Sequence, residues 1–302
     1  MKKAVVIVGP TAVGKTSLAL KLAKKFNTDL ISADSIHVFK SLDIISGKDK
    51  DEFLDINVKL IDVIPPTKSF SVSQFQTLAV KALEEISKEK KLPIIVGGTG
   101  LYMKSLIDGI ETSEVKPNLD LRRKLEAYSL EELQKKLKSL DKKVFESMNE
   151  SDRKNKRRII RRIEIINSRI MNHESRIKKE NGFEFLQIGL ELPREILKEN
   201  IDKRVGERIK NGGIKEAKNL FKDYKNLTQQ VKDANGYRQL FEHFLGLTSL
   251  KQAIEKWKIS EYHHAKNQMT WFKKDKRITW FEADKKGLFE AVRKRINDYL
   301  AN

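Results

Sequence analysis

Residues 9–16 read Gly-Pro-Thr-Ala-Val-Gly-Lys-Thr, directly after the apolar run Ala4–Val8 and directly before Ser17-Leu18-Ala19-Leu20. No other stretch limits the fold so strongly. A glycine, four variable positions and then Gly-Lys-Thr form the phosphate loop that joins a buried strand to a helix. Gly9 and Gly14 allow the loop, running through Pro10, Thr11, Ala12 and Val13, to close its available backbone N–H groups around phosphate oxygens, Pro10 having none. The N-terminus of the following helix adds a favourable dipole. Lys15 is placed to neutralise terminal phosphate charge, and Thr16 to offer its hydroxyl to a magnesium ion. The pattern is shared with nucleotide-binding and ATP-binding proteins. It predicts phosphate binding and leaves the reaction open.

The surrounding sequence predicts an α/β core. Strand-like runs at Ala4–Val8, Asp29–Ser32, Leu60–Ile64 and Pro93–Val96 alternate with helical patterns. One of these places Phe75, Leu78, Ala79, Ala82, Leu83 and Ile86 at helical spacing behind a Ser71–Gln74 capping box. Such alternation implies a P-loop NTPase-like parallel sheet, with ligands at the carboxyl ends of the strands. "GPTAVGKT", "SADS" and "GGTGLY" all fall at those ends. From about Lys116 the chain becomes charged and strand-poor, with no glycine between there and Gly182. The expected organisation is therefore the first part of the core at 1–115, a helical insertion at 116–184, and core completion with a mostly helical C-terminal region at 185–302. Gln187–Leu190 reads as a return to the sheet and Thr279–Phe281 as a late strand, with helix breaks at Gly212-Gly213, Gly236 and Gly246.

Composition narrows the function class. No stretch approaches the roughly twenty apolar residues of a membrane span, and Met1-Lys2-Lys3 runs straight into a strand without a signal-peptide pattern. The chain has no cysteine, which excludes disulfides and thiolate metal sites and fits a cytoplasmic setting. A net charge of +19 suggests a polyanionic partner, although a generally lysine-rich composition would produce the same figure. The densest basic run, Arg153 to Arg162, puts Arg157, Arg158, Arg161 and Arg162 on one helical face and Ile159, Ile163 and Ile166 on another. Guanidinium forks suit phosphate oxygens, and a merely solvated face is the alternative.

A nucleotide hydrolase would end a later strand in an acidic residue for its metal. Here Pro93–Val96 ends in Gly97-Gly98-Thr99-Gly100, and Asp62 lies inside a strand-like run. Asp34, closing the second strand, is the better acid candidate, with a helix cap or turn role as the alternative. His37, His173, His243, His263 and His264 show no pair at i, i+4 spacing, so no zinc site is expected.

"GPTAVGKT", "ISADS", "FSVSQF", "LPIIVGGTGLYMKSL", "RRIIRRIE", "GYRQ" and "AKNQMTWF", in that order from Val5 to Phe281, resemble the bacterial tRNA dimethylallyltransferase family. The resemblance implies transfer of a dimethylallyl group from its diphosphate to N6 of the adenine immediately 3′ of the anticodon (position 37), in tRNAs reading codons that begin with U. Magnesium is the implied cofactor, dimethylallyl diphosphate and the tRNA anticodon stem-loop the implied partners, and a monomer the expected state. By family position Asp34 takes the amine proton, Lys15 and Thr16 act on the leaving diphosphate, and Arg204 assists. Asp34, Ser35, Ile36 and His37, then Thr99 and Arg122, and Arg158, Ile159, Ile160, Arg161 and Arg162 match tRNA-contacting positions, with Arg157 beside them. Some positions depart from the family pattern: His37, Phe39 for a usual tyrosine, Asn155 for an acid, and Asn200 and Asn267 for arginines. An adenylate isopentenyltransferase acting on free AMP, ADP or ATP is the nearest alternative, though it would need neither the basic insertion nor the long C-terminal region. A kinase or nucleotide hydrolase and a non-catalytic RNA-binding module are further alternatives.

Overall fold

The computed structural model describes residues 1–53, 55–109, 115, 118–172 and 182–302. The chain forms two compact units, one made of Met1–Asp108 with Glu180–Asn302 and the other of Gly109–Lys179.

The first unit is built on strands β1 (Lys2–Val8), β2 (Leu30–Ser32), β3 (Val58–Lys59), β4 (Ile94–Val96), β5 (Phe183–Glu191) and β6 (Thr279–Glu282). They make one parallel sheet in the order β3-β2-β4-β1-β5-β6. Val5 of β1 is registered with Ile94 on one side and Leu186 on the other. Ala4 to Val8 are at most 1% exposed, because helices cover both faces of the sheet. Alternate residues face opposite ways: Val6 and Val8 join Phe75 and Met103 in one core, while Val5 and Ile7 join Leu18, Ala19 and Leu22 in the other.

Helices α1 (Lys15–Phe26), α2 (Val72–Lys88) and α3 (Gly100–Ile107) follow β1, β3 and β4. The Ser71–Gln74 capping box opens α2. The strand expected at Leu60–Ile64 is not formed. The sheet strand is Val58–Lys59, after which Leu60 and Asp62 take left-handed backbone conformations. The N–H groups of Asp62, Val63 and Ile64 bond locally to the carbonyls of His37 and Val38, which diverts the segment from the ladder.

The second unit holds α4 (Leu119–Glu126), α5 (Leu130–Leu140), α6 (Lys142–Ser147), α7 (Glu150–Arg153) and α8 (Lys156–Asn172). Side chains of Asn118, Ser129, Asp141 and Asn149 accept the free N–H groups at the starts of α4 to α7. Leu125, Leu133, Leu137, Met148, Ile159, Ile163 and Ile166 form its core. The first unit is completed by α9 (Arg194–Lys210), α10 (Gly213–Phe221), α11 (Gln229–Lys232), α12 (Tyr237–Phe244), α13 (Leu250–Phe272) and α14 (Leu288–Ala301). No described helix is long and apolar enough to cross a membrane.

Candidate active site

The phosphate loop turns through Gly9 (φ 144°), Ala12 (φ 61°) and Gly14 (φ 92°) before α1 begins at Lys15. A Cβ at Gly9 would sit 2.5 Å from the Leu190 carbonyl oxygen of β5, so only glycine lets the loop leave the sheet there. Ala12 adopts the left-handed region without being glycine, a strain characteristic of binding loops. Val13 is buried and anchors the loop in the core. Gly14 is the N-cap of α1 and brings no side chain to its first N–H groups, which suits an anion.

Lys15 Nζ donates to the Pro10 carbonyl at 2.5 Å. Burial, with the Arg204 charge adding to it, lowers the Lys15 pKa to about 7, against the opposing pull of Asp34. Arg204 on α9 donates to Thr11 Oγ1 at 3.3 Å, and its nearest carboxylate, Asp49, is 3.9 Å away. Burial and the neighbouring Arg208 charge draw Arg204 below the ordinary arginine value. Arg208, one helical turn on, pairs with Glu261 at 3.2 Å, and Trp257 donates to the same Glu261 oxygen. Cations this close to one another with so little carboxylate between them are relieved by a bound anion.

The opposite wall comes from the ends of β2 and β4. Asp34 Oδ1 accepts the Ile36 N–H at 2.8 Å. Burial pushes its carboxyl up, but His37, the Ile36 N–H, His264 and Lys15 together outweigh that and hold it below the usual aspartate value. Thr99 occupies the N-cap position of α3, yet its hydroxyl does not cap the helix. It accepts the Ser35 N–H at 3.0 Å instead and ties the two strand ends together. Gly97 permits this approach, since a Cβ would lie 2.3 Å from the Ala33 carbonyl oxygen. His37 Nε2 donates to the Ser46 carbonyl at 3.2 Å, leaving Nδ1 facing Ser32 Oγ at 3.4 Å. This departure from the family pattern thus spans from β2 to the 42–48 loop.

Thr11, Lys15, Thr16, Asp34, Ser35, Ile36, His37, Thr99, Arg204 and Arg208 all line one cavity of about 310 Å³. Gln268 on α13 joins its loops: its Oε1 accepts the Thr11 N–H at 2.8 Å and its Nε2 donates to the Gly98 carbonyl at 3.0 Å. Asn200 Nδ2 donates to the Ala12 carbonyl at 3.3 Å. Sequence reasoning does not single out Arg208, Glu261, His264 or Gln268 as site residues. Gln268 lies within "AKNQMTWF", and Arg208 follows Arg204 at i+4, so motif membership and helical spacing are the signals that could have found them.

Other sequence candidates lie elsewhere. Asp62 is no strand-end metal acid, because it sits in a turn and pairs with Lys50 and with the buried Lys48, both at 2.5 Å. In the second unit, Arg157, Arg158 and Arg162 are all exposed. Arg161 is not part of an outward face of four, since it donates to the buried Glu164 and to the Val115 carbonyl. Arg122 also donates to Glu164, through Nε at 3.0 Å and Nη2 at 2.7 Å. Ile159 and Ile160 are 0% and 5% exposed, so they anchor α8 and present no side chain to a ligand. Arg158 bonds to Asp152. His173 lies outside the described residues.

Residues 37–275 match the family model described as IPP transferase. The chain is 38% identical to a tRNA dimethylallyltransferase of Anoxybacillus flavithermus, covering 99% of this chain and 95% of that protein. It is 37% identical to one from Acetivibrio thermocellus, covering 100% and 98%. The structure resembles the tRNA isopentenylpyrophosphate transferase of Bacillus halodurans with a TM-score of 0.73 and 34% identity, covering 100% of this chain and 96% of that one. It also resembles a eukaryotic dimethylallyltransferase acting on tRNA, with a TM-score of 0.81, 25% identity, and coverage of 100% and 80%.

Proposed function

The chain belongs to the IPP transferase family, and on that premise we propose that it transfers a dimethylallyl group from dimethylallyl diphosphate to N6 of the adenine 3′ of the anticodon in tRNA. The observation that carries this reading is the convergence of the phosphate loop, Arg204, Asp34 and Thr99 on one cavity. Such a cavity offers cations to one end of a substrate and a carboxylate to the other.

The N6 lone pair attacks C1 of the donor, the C1–O bond breaks, and the bonding electrons leave with diphosphate. Charge grows on the leaving oxygen, where the loop N–H groups, Lys15 and Arg204 stabilise it. The alkylated nitrogen becomes strongly acidic and passes its proton to Asp34, whose lowered pKa keeps it ionised at neutral pH. Thr99, by holding the Ser35 N–H, keeps Asp34 and its turn at the sheet edge. An adenine stacked in an anticodon loop must be extruded to reach such a cavity.

Among the described residues no group of three or more His, Cys, Asp or Glu could cage a metal. The single hydroxyl of Thr16 fits a magnesium ion held mainly by diphosphate oxygens and water, the usual habit of that ion. When bound, it would supply further positive charge to the leaving group. Arg157, Arg158 and Arg162 would meet stem-loop phosphates. A setting in the cytoplasm and action as a monomer accompany this reading.

Incubation with labelled dimethylallyl diphosphate and either tRNA or AMP tests it. Label in tRNA alone is the expected outcome. Label in AMP would move the assignment to the free-nucleotide enzyme, which the tRNA-named relatives leave without support.

A further inference from the structure

The loop between β2 and β3 carries residues that hold the cavity in shape. Ser46 supplies the carbonyl that accepts from both His37 and Arg208. Gly47, at φ 70°, lies under two guanidinium groups: a Cβ there would be 2.4 Å from Arg208 Nη2 and 2.7 Å from Arg204 Nη2. The loop is a single helical turn, with the Gly47 N–H bonding to the carbonyls of Asp43 and Ile44 at 3.1 Å. A turn of this kind leaves its first N–H groups without internal partners.

Those groups are met from a distant part of the chain. Glu216 on α10 accepts the N–H of Asp43 at 2.8 Å, of Ile44 at 2.7 Å and of Ile45 at 3.0 Å. Its Oε1 also accepts the hydroxyl of the fully buried Tyr237 at 2.6 Å. Gly236 lets Tyr237 reach this point, since a Cβ there would lie 2.5 Å from Ile45 and 2.7 Å from Trp257. This accounts for the "GYRQ" motif, in which Gln239 in turn accepts the Gly236 N–H at 2.8 Å. Four donors converge on one carboxylate, and charge-assisted bonds of this type are short and directional.

We infer that Glu216, oriented by Tyr237, is a positioning residue for the leaving-group end of the cavity. It clamps the 43–45 backbone and so fixes Ser46 and Gly47, against which Arg204, Arg208 and His37 are set. Glu216 does not line the cavity and touches no reacting atom. The inference rests on the prenyl-transfer reading above, in which Arg204 stabilises the departing diphosphate.

A double-mutant cycle on the full chain tests it. Glu216→Gln keeps the size but replaces one acceptor oxygen with a donor facing donors. It should lower kcat about 10- to 100-fold, as misplacement of a catalytic group does, and weaken inhibition by inorganic pyrophosphate. In an Arg204→Ala background the same change should cost much less, because the group being positioned is gone; residues acting independently would add. Tyr237→Phe, which removes one donor and leaves the packing intact, should show the same non-additive pattern at smaller size. It carries the test if Glu216→Gln does not fold. Equal losses in both backgrounds, or an unchanged kcat and pyrophosphate affinity, would overturn the inference. Failure of the unmodified protein to prenylate tRNA would instead overturn the functional reading.

Discussion

The two units use arginine in opposite ways. In the sheet unit, the half-buried Arg204 and the nearly buried Arg208 are held over a glycine by a clamped loop, in the same cavity as a lysine of depressed pKa. In the helical unit, Arg157 and Arg162 stand exposed on α8, while Arg122 and Arg161 converge on the buried Glu164. On the function proposed above, the difference follows from what each task tolerates. Stabilising a charge that appears on one oxygen demands donors already in place, and the strand-end loops and the packed helix α9 hold them. Neutralising a run of phosphates depends mainly on charge and reach, so solvated side chains on a helix suffice.

The largest effects fall on the reacting groups. Asp34→Asn should reduce turnover on the order of 10²- to 10⁴-fold, the span expected for a lost proton acceptor. Lys15→Ala should reduce it by about 10²- to 10³-fold. Both should change tRNA affinity far less than rate, and single-turnover kinetics beside a filter-binding assay would separate the two effects. A loss of tRNA affinity as large as the loss of rate would abolish the distinction between the units.

In the helical unit the charge that matters most is that of the buried Glu164. Burial raises its carboxyl, but bonds from Arg122, Arg161 and the Asn118 N–H outweigh that and hold it below the usual glutamate value. A depressed carboxyl contributes stability that is complete above its unfolded pKa of about 4.3 and is lost as pH falls through the lower folded value. Glu164→Gln should therefore destabilise the helical unit by about 1–3 kcal/mol near neutrality, the cost of stranding its partners. Its thermal unfolding should converge with that of the unmodified chain as the pH is lowered through that range. A constant gap at all pH values would show that the charge of Glu164 contributes nothing.

The smallest effect belongs to the α8 pair. Arg157→Ala with Arg162→Ala should weaken tRNA binding and flatten its salt dependence by roughly 0.7–0.9 in log–log slope for each phosphate left unneutralised. Saturating tRNA should restore turnover. Affinity measured at several salt concentrations decides it, and an unchanged slope would make α8 a solvated helix face.

Much of this is legible in the chain itself, because the signals are local. A phosphate loop between an apolar strand and a helix, the Ser71–Gln74 box and the unbroken apolar run of β1 depend on neighbours a few residues apart. The parallel sheet follows from the alternation of such elements, and Asp34 and Thr99 are marked by falling at strand ends. Other features are not legible for the opposite reason. The conversion of Thr99 from helix cap to clamp depends on Ser35, and the loop bridge of Gln268 joins residues 257 and 170 positions away. Helical spacing points Arg161 outward, but the buried Glu164 three residues on draws it in, and the Leu60–Ile64 run forfeits its strand to competing bonds from His37 and Val38. Sequence alone determined that the chain carries a phosphate-binding loop, since that loop carries its own backbone geometry. Tertiary structure alone decided which carboxylates and amides hold the reacting groups in place. Those partners come from distant helices, and only closure of the fold brings them within hydrogen-bond reach.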